Sequence, residues 1–322
     1  MFIKGVSEKI QQIITPTPYE VGNVNSFLIK GDALSIVDVS VKTEEALEVL
    51  RYDIQQAGYK LTDIEQVILT HHHPDHVGWV DAFPNAEVVG HRYNDFWLKS
   101  EPAFYDYAFQ FYTEQLGSQG VPRQVIERAV GTRQMIEQVA SRPLTKILEN
   151  GDEVPGHPNL KAIFTPGHAL SHFIFYNEKE NWAIGGDLLL PHVTPNPLIE
   201  PPEIQGEPRS KSLLQYNASL KLLESLDLEK VYPGHGDVIL QPNELITERV
   251  NRQHKQSLKL LSLATETPQS VFELNAQFYT AIYKAQLALT LSKTQGFVDY
   301  LVDLGLLTEE ISTDGVYRYY VK

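Results

Sequence analysis

The stretch QVILTHHHPDH, residues 66–76, places four potential metal ligands directly behind a short apolar run. These ligands are His71, His73, Asp75 and His76. Because side chains alternate along an extended strand, His71 and His73 are expected to point to one side, while Asp75 and His76 approach from the turn into the next helix. The stretch therefore predicts that two neighbouring metal ions share one short peptide.

Three further candidate ligands stand in similar surroundings later in the chain: His168 in TPGHALSH, Asp187 in AIGGDLLL and His235 in YPGHGD. Each follows a strand-like segment and a turn with glycine, which permits the backbone conformations that turn a ligand sharply inward. Imidazole and carboxylate ligands in this number are enough for two first-row metal ions and leave positions open for water and substrate. The chain has no cysteine, so thiolate ligands, disulfides and a cysteine nucleophile are excluded.

With these motifs the sequence resembles the metallo-β-lactamase superfamily, whose signature H-x-H-x-D-H is met in order by the first four ligands. The resemblance covers about residues 10–240. It implies two metal sites and one shared ligand: His71, His73 and His168 in the first site, Asp75, His76 and His235 in the second, and Asp187 as the bridge. It also implies two divalent metal ions, with zinc in the first place and manganese and iron as alternatives.

The fold class that the resemblance implies is a mixed α/β (α+β) protein, built as the four-layer αββα metallo-β-lactamase sandwich with the metals at a sheet edge. The hydrophobic pattern agrees, because short strand-like runs alternate with helical stretches. Strands are predicted at residues 11–15, 24–30, 34–39, 66–70, 86–90, 160–165, 173–176 and 182–185, and helices at 43–57, 211–226, 243–264, 270–283 and 294–307. The first three strands predict an antiparallel meander.

Two stretches stand apart from this core. Residues 94–142 are predicted to be a helical insertion in a catalytic domain of residues 1–264. The insertion is crowded with aromatic side chains between Phe96 and Tyr112, which either form a lid over an apolar substrate group or pack the insertion. Residues 265–322 resemble the small winged-helix domain of some metallo-β-lactamase-like hydrolases and should end in a hairpin with Asp314 and Gly315 at its turn.

Four polar side chains near the motifs need separate interpretation. Asp38 either lies beside the metals or caps a turn. His72 projects opposite to its neighbours and is expected outside the ligand set. His172 either binds substrate or makes a structural hydrogen bond, and His192, just beyond Asp187, is a candidate for binding substrate.

Composition narrows the class of protein further. At 322 residues the chain is long enough for one large domain with an appendage. Its net charge of −14 argues against broad affinity for nucleic acid or anionic membrane, although a local basic patch stays open. Its apolar runs fall short of a bilayer span, and its N-terminal segment lacks the pattern of a secretory signal. We therefore expect a cytoplasmic protein that acts on a small-molecule substrate, and homo-oligomer formation stays open.

The predicted function is that of a metal-dependent hydrolase, in which water activated by a binuclear centre attacks an ester, thioester, lactone or phosphodiester. Asp75 or Asp187 is expected to orient that water. One alternative is an endoribonuclease of the beta-lactamase-like protein 2 group, although residues 266–322 carry seven acidic and four basic side chains, and an RNA-binding surface should be basic. The other alternative is an oxidoreductase with one iron, similar to the persulfide dioxygenases, which share much of the histidine motif.

Overall fold

The apolar runs at the start of the chain form the first sheet. The computed structural model describes residues 9–130, 142–281 and 286–322, and the strands of this sheet lie side by side in chain order. They are β1 (Lys9–Thr15), β2 (Val24–Lys30), β3 (Leu34–Val37), β4 (Gln66–Ile68), β5 (Glu87–Gly90) and β6 (Lys146–Ile147). The first three strands pair antiparallel, which confirms the predicted meander, and β3 to β6 pair in parallel.

The second sheet is mostly antiparallel. Its strands are β7 (Glu153–Val154), β8 (His157–Phe164), β9 (Phe173–Asn177), β10 (Trp182–Gly186), β11 (Lys230–Pro233) and β12 (Ile239–Leu240). They lie in the order β12-β11-β10-β9-β8-β7. Because β10 and β11 are parallel while β8 and β10 both run opposite to β9, the chain leaves β8, β10 and β11 at the same edge of this sheet.

An apolar layer joins the two sheets. It contains Phe27 and Val37 of the first sheet together with Phe173, Phe175 and Trp182 of the second, all almost fully buried. Burial of apolar side chains between two packed sheets is the main contribution to the stability of such a fold. The strands that carry the ligand loops are therefore held together by this shared layer.

The outer face of the first sheet is covered by helix α1 (Glu44–Gln56). This helix begins where the sequence predicts, because the hydroxyl of Thr43 accepts a hydrogen bond from a backbone N–H of the first turn at 3.3 Å. Leu50 and Ile54 of α1 belong to the same buried cluster as Ile36 of β3. Alternate side chains of the strands thus enter two cores, one between the sheets and one beneath the helix.

The other α-helices of the described residues are α2 (Pro74–Val77), α3 (Asn94–Leu98), α4 (Pro102–Ser118), α5 (Arg123–Val130), α6 (Ser212–Ser225), α7 (Pro242–Leu261), α8 (Val271–Phe278) and α9 (Leu287–Asp303). Helices α3 to α5 fall in the predicted insertion, whose residues 131–141 lie outside the described residues. In α4, Phe104 is buried and Phe109 is exposed, so no single interpretation covers its aromatic side chains. None of the described helices is long and apolar enough to cross a membrane.

The described residues divide into two compact units. The first unit takes the described residues of the ranges Met1–Glu101, Ile136–Pro195 and Ser219–Ile246, and it contains both of the sheets above. The second unit takes those of Pro102–Met135, Asn196–Ala218 and Thr247–Lys322. All of the predicted metal ligands therefore belong to the first unit.

The second unit contains a small sheet of β13 (Gln269–Ser270), β14 (Thr308–Ile311) and β15 (Tyr317–Tyr320), in the order β13-β15-β14. Strands β14 and β15 pair antiparallel, which confirms the predicted hairpin. Gly315 at the turn has a φ of 80°, a conformation that favours glycine. The winged-helix-like character of this region and the domain boundary near residue 265 stay predictions.

Candidate metal centre

The candidate centre is built on loops that follow β4, β8, β10 and β11. After β4, His73 is the N-cap residue of α2 and Pro74 is its first residue, where a missing N–H is tolerated. Asp75 and His76 consequently lie in the first turn of α2, as the sequence predicts. His168 follows β8, and the two remaining candidate ligands follow β10 and β11.

The predicted ligands gather in two sets. One potential ligand atom each from His71, His73 and His168 lie within 4.8 Å of one another, and the same holds for Asp75, His76 and His235. The side chains of these residues are buried, except that of His73, which is half-buried. Each set could hold one metal ion, since three closely spaced imidazole or carboxylate donors are what such a site needs.

The carboxylate of Asp187 lies between the two sets. Its Oδ2 is 3.6 Å from Nε2 of His168 and 3.5 Å from Nε2 of His235. Its Oδ1 is 3.5 Å from Nε2 of His76. The backbone leaves room for this placement, because a Cβ atom at Gly234 would overlap Oδ1 of Asp187. Asp187 thus stands where a ligand shared by both sets would have to stand.

One ring nitrogen of His71 supports a cation at this centre. The hydroxyl of Thr70 donates a hydrogen bond to Asp38 Oδ2 at 2.7 Å and lies 3.0 Å from Nδ1 of His71. Nδ1 must therefore carry the proton that it donates to the hydroxyl oxygen, and Nε2 keeps a lone pair. That Nε2 is buried without a hydrogen-bond partner among the described residues. A buried, unsatisfied imidazole nitrogen is costly unless a metal ion or a similar acceptor of its lone pair binds there.

Asp38 links the two ligand sets, because it bonds directly to His76 and reaches His71 through Thr70. Its Oδ1 accepts a hydrogen bond from the backbone N–H of Thr70 at 2.8 Å, and its Oδ2 accepts one from Nδ1 of His76 at 2.7 Å. The φ of Asp38 is 57°, a left-handed conformation that a non-glycine residue adopts at a cost and that is concentrated at functional sites. Of the two interpretations that the sequence leaves for Asp38, the hydrogen bonds favour a place beside the centre.

Burial and neighbouring charges shift the pKa values of the centre in opposite directions. Burial lowers the pKa of the His71 imidazole well below its ordinary value, and neighbouring imidazoles lower it further. Burial also acts to lower the pKa of His76, but the nearby carboxylates, that of Asp187 first, raise it well above its ordinary value. Burial acts to raise the pKa of Asp187, but the imidazoles of His235 and His76 outweigh it and hold this pKa well below its ordinary value. A proton or a metal ion is therefore stabilised among these carboxylates.

His72 and His172 are both buried beside the ligands. His72 stacks on Trp97 with ring centroids 5.1 Å apart, and its Nδ1 lies 2.8 Å from the hydroxyl of Ser171. Nε2 of His172 accepts a hydrogen bond from the backbone N–H of Asp187 at 3.1 Å, and its Nδ1 lies 2.8 Å from the hydroxyl of Thr165. Both ring nitrogens of His172 are thus engaged, which favours the structural hydrogen bond over the contact with substrate.

His192 is exposed and lines a cavity of about 300 Å³ beside His235. We call it the His235 cavity; it is lined from three segments of the first unit, within residues 14–25, 190–193 and 235–237. The predicted contact of His192 with substrate is compatible with this place. The contact itself stays a prediction.

Sequence reasoning missed three residues of the centre. Thr70 links Asp38 to His71, and its place between the apolar strand and the first histidine was a usable signal. The backbone carbonyl of Asn23 accepts a hydrogen bond from Nδ1 of His235 at 2.7 Å, for which no side-chain signal exists. Tyr19 is half-buried, and burial and then the Asp75 carboxylate raise the pKa of its phenol.

Comparison of the sequence with protein families gives one match over most of the chain. Residues 19–235 match the family model described as the metallo-beta-lactamase superfamily. Over 296 residues the chain is 37% identical to the probable metallo-hydrolase YqjP of Bacillus subtilis, and the match covers 92% of each chain. A thioesterase of Emericella nidulans, pkgB, is 33% identical over 104 residues, which are 32% of this chain and 27% of that protein.

Comparison of the fold with solved structures agrees. The crystal structure of a metallo-beta-lactamase family protein from Thermus thermophilus superposes with a TM-score of 0.78 at 26% sequence identity. The superposition covers 97% of this chain and 98% of that one. The two chains therefore share an architecture over nearly their whole length.

Proposed function

The chain belongs to the metallo-beta-lactamase superfamily and is a metallo-hydrolase, and we propose that it hydrolyses thioesters of small carboxylic acids with two divalent metal ions. The observation that carries the proposal is the position of the Asp187 carboxylate. Its oxygens lie 3.5–3.6 Å from histidine nitrogens of both ligand sets. A carboxylate in that position can serve two metal ions together.

The proposed ligands are the seven residues that the sequence singles out. The first set, His71, His73 and His168, would hold one ion, and the second set, Asp75, His76 and His235, would hold the other, with Asp187 as the ligand shared by both. Zinc is the metal that we propose, because imidazole and carboxylate are among its ordinary ligands. Manganese and iron accept the same donors and are the alternatives.

The bound ions would supply the chemistry of hydrolysis, since such a pair lowers the pKa of water toward neutrality and polarises the carbonyl under attack. The protein positions the groups that take part. Oδ2 of Asp38 accepts a hydrogen bond from Nδ1 of His76 at 2.7 Å, so that Nε2 of this ring faces the centre. We propose Asp75 and Asp187 as catalytic residues, because a carboxylate oxygen of either can accept a hydrogen bond from the attacking water and orient it.

A thioester is the proposed substrate class for two reasons. One relative of the chain is named a thioesterase, although the match covers a minor part of both proteins. In addition, a thiol has a pKa of about 8.5, so a thiolate leaves without prior protonation more readily than an alkoxide does. Oxygen esters, lactones and phosphodiesters are the comparison substrates.

Nucleic acid is not the substrate that we propose. Residues 266–322 carry three more acidic than basic side chains, and an RNA-binding surface needs an excess of positive charge to displace counterions from phosphates. The cytoplasmic location stays a prediction from the sequence, and homo-oligomer formation stays open.

A substrate panel tests the proposal. We expect the metal-loaded protein to release thiol from acetyl and hexanoyl thioesters of N-acetylcysteamine faster than it cleaves the matching oxygen esters, a lactone or bis-p-nitrophenyl phosphate. Removal of metal with EDTA should abolish thiol release, and added zinc should restore it, with a mock-dialysed sample as the control. Cleavage of the phosphodiester without the thioesters would contradict the proposal in favour of a nuclease. Oxygen uptake with a persulfide would contradict it in favour of a dioxygenase.

A further inference from the structure

We propose that the His235 cavity binds the aliphatic acyl chain of the substrate, which makes it a subsite for chain length. This inference rests on the proposed thioester hydrolysis. The cavity has a volume of about 300 Å³ and shares His235 with the candidate metal centre. A carbonyl group placed at the centre would therefore have its acyl chain within reach of the cavity.

The larger part of the surface that the cavity offers to a ligand is apolar. Its walls include Ile14, Val21, Leu190, Pro191 and Val193. Ile14 is 51% exposed and Val193 is 39% exposed. An apolar ligand that covers these two exposed side chains removes apolar area from water, and this burial favours its binding.

Two buried polar groups of the walls already have partners within the protein, whereas Nε2 of His235 faces the carboxylates of Asp75 and Asp187 in the candidate metal centre. Nδ2 of Asn25 donates hydrogen bonds to the backbone oxygens of Pro233 and Gly236 at 2.9 Å and 2.8 Å. Nδ1 of His235 donates to the backbone oxygen of Asn23 at 2.7 Å. These two groups therefore hold the segments together, and they do not call for a polar ligand.

The same hydrogen bonds fix the shape of the cavity before a ligand binds. Val24 forms an antiparallel bridge with His235. On the other side, Gly236 has a φ of 79°, and a Cβ atom on it would lie 2.7 Å from Cγ of Pro191 and 3.2 Å from Cδ2 of His192. The loop after β10 is thus packed directly on the loop that carries His235. A rigid, preformed cavity costs little ordering entropy when a chain enters it.

Charge decides which end of the substrate enters. The exposed carboxylate of Asp237 lies in the wall, and the whole chain carries a net charge of −14. An anionic thiol carrier is disfavoured there by like charge, whereas a neutral aliphatic chain is not. The volume stands at the low end of ligand pockets, which suits a short chain better than a long one.

The test is the dependence of kcat/KM on acyl chain length, measured with acetyl, butyryl and hexanoyl thioesters of N-acetylcysteamine. For the wild-type protein we expect kcat/KM to rise at least about tenfold from acetyl to hexanoyl, since one methylene in an apolar pocket can give that discrimination. Val193→Trp and Ile14→Trp, which fill the cavity from different segments, should bring the ratio close to one. Leu240→Trp is the matched control, because Leu240 is 72% exposed on β12 and does not line the cavity. If both cavity variants keep the wild-type ratio, the inference is wrong.

A binding measurement separates this inference from the proposed function. Calorimetry with the hexyl and methyl thioethers of N-acetylcysteamine, which cannot be hydrolysed, should show at least about tenfold tighter binding of the hexyl compound. That preference should be lost in Val193→Trp and kept in Leu240→Trp, with thermal unfolding to show that each variant is folded. A chain-length preference without any thioester hydrolysis would contradict the function and support the cavity. Hydrolysis with equal binding of both thioethers would support the function and overturn the cavity.

Discussion

Asp187→Ala is expected to lower kcat/KM for thioester hydrolysis by roughly a thousandfold or more, because it removes the one ligand that both proposed metal sites share. The Asp187 carboxylate lies 3.5–3.6 Å from nitrogens of three histidines, His168 of the first set and His76 and His235 of the second. Without it, neither the spacing of the ions nor the orientation of the attacking water is expected to be maintained. The measurement is steady-state kinetics together with metal content per chain.

The loss of activity in Asp187→Ala should far exceed any loss of stability. The backbone N–H of residue 187 donates to Nε2 of His172 at 3.1 Å, and this bond does not depend on the side chain. Strand β10 remains packed in the layer between the sheets through Trp182 and Ile184. Thermal unfolding of both proteins under identical conditions provides the control. Near-normal turnover with both metals bound would mean that Asp187 is not the shared ligand.

Asp38→Asn is expected to lower kcat/KM or metal affinity by about 10- to 100-fold, the range found when a group that orients a metal ligand is lost. Oδ2 of Asp38 accepts hydrogen bonds from both Thr70 Oγ1 and His76 Nδ1, each at 2.7 Å. If the amide nitrogen of asparagine takes that position, it can only donate. Nδ1 of His76 would then have to accept, and the proton would move to Nε2, where it blocks a metal ion.

The matched control for this change is Asp81→Asn. Asp81 is also in the first unit and forms an ion pair with Lys42 at 2.7 Å, but it is exposed. An exposed ion pair contributes roughly 0–1 kcal/mol, so this variant should keep both its metal and its activity. Equal effects of the two substitutions would show that loss of any aspartate near α2 lowers activity. The proposed role of Asp38 in orienting His76 would then be contradicted.

The fold was largely predictable, because its signals are local. The stretch of residues 66–76 joins an apolar strand to alternating ligands, and the structure has β4 and α2 at those places. The strands of the meander and Thr43 at the start of α1 follow from alternation and from capping chemistry. The mixed α/β sandwich is confirmed by the two packed sheets and by the match to a solved structure at a TM-score of 0.78.

The parts that the sequence could not provide depend on contacts between distant residues. Asp38 meets Thr70 and His76 across 32 and 38 positions of the chain, and nothing next to Asp38 indicates those partners. His235 is held by a backbone carbonyl 212 positions away, which every residue type would offer. Helix α9 begins at Leu287 and not at the predicted residue 294, because its first turns contain the buried Thr290 and Leu291, and this burial comes from the tertiary structure.

The central claim is that two metal ions are held per chain, and a metal titration of activity tests it most directly. Metal-free protein is titrated with zinc while thioester hydrolysis and bound metal, by elemental analysis, are followed together. We expect activity to rise to its full value only as the second equivalent binds, since Asp187 stands between two complete ligand sets. Full activity with one zinc ion per chain would contradict the binuclear centre.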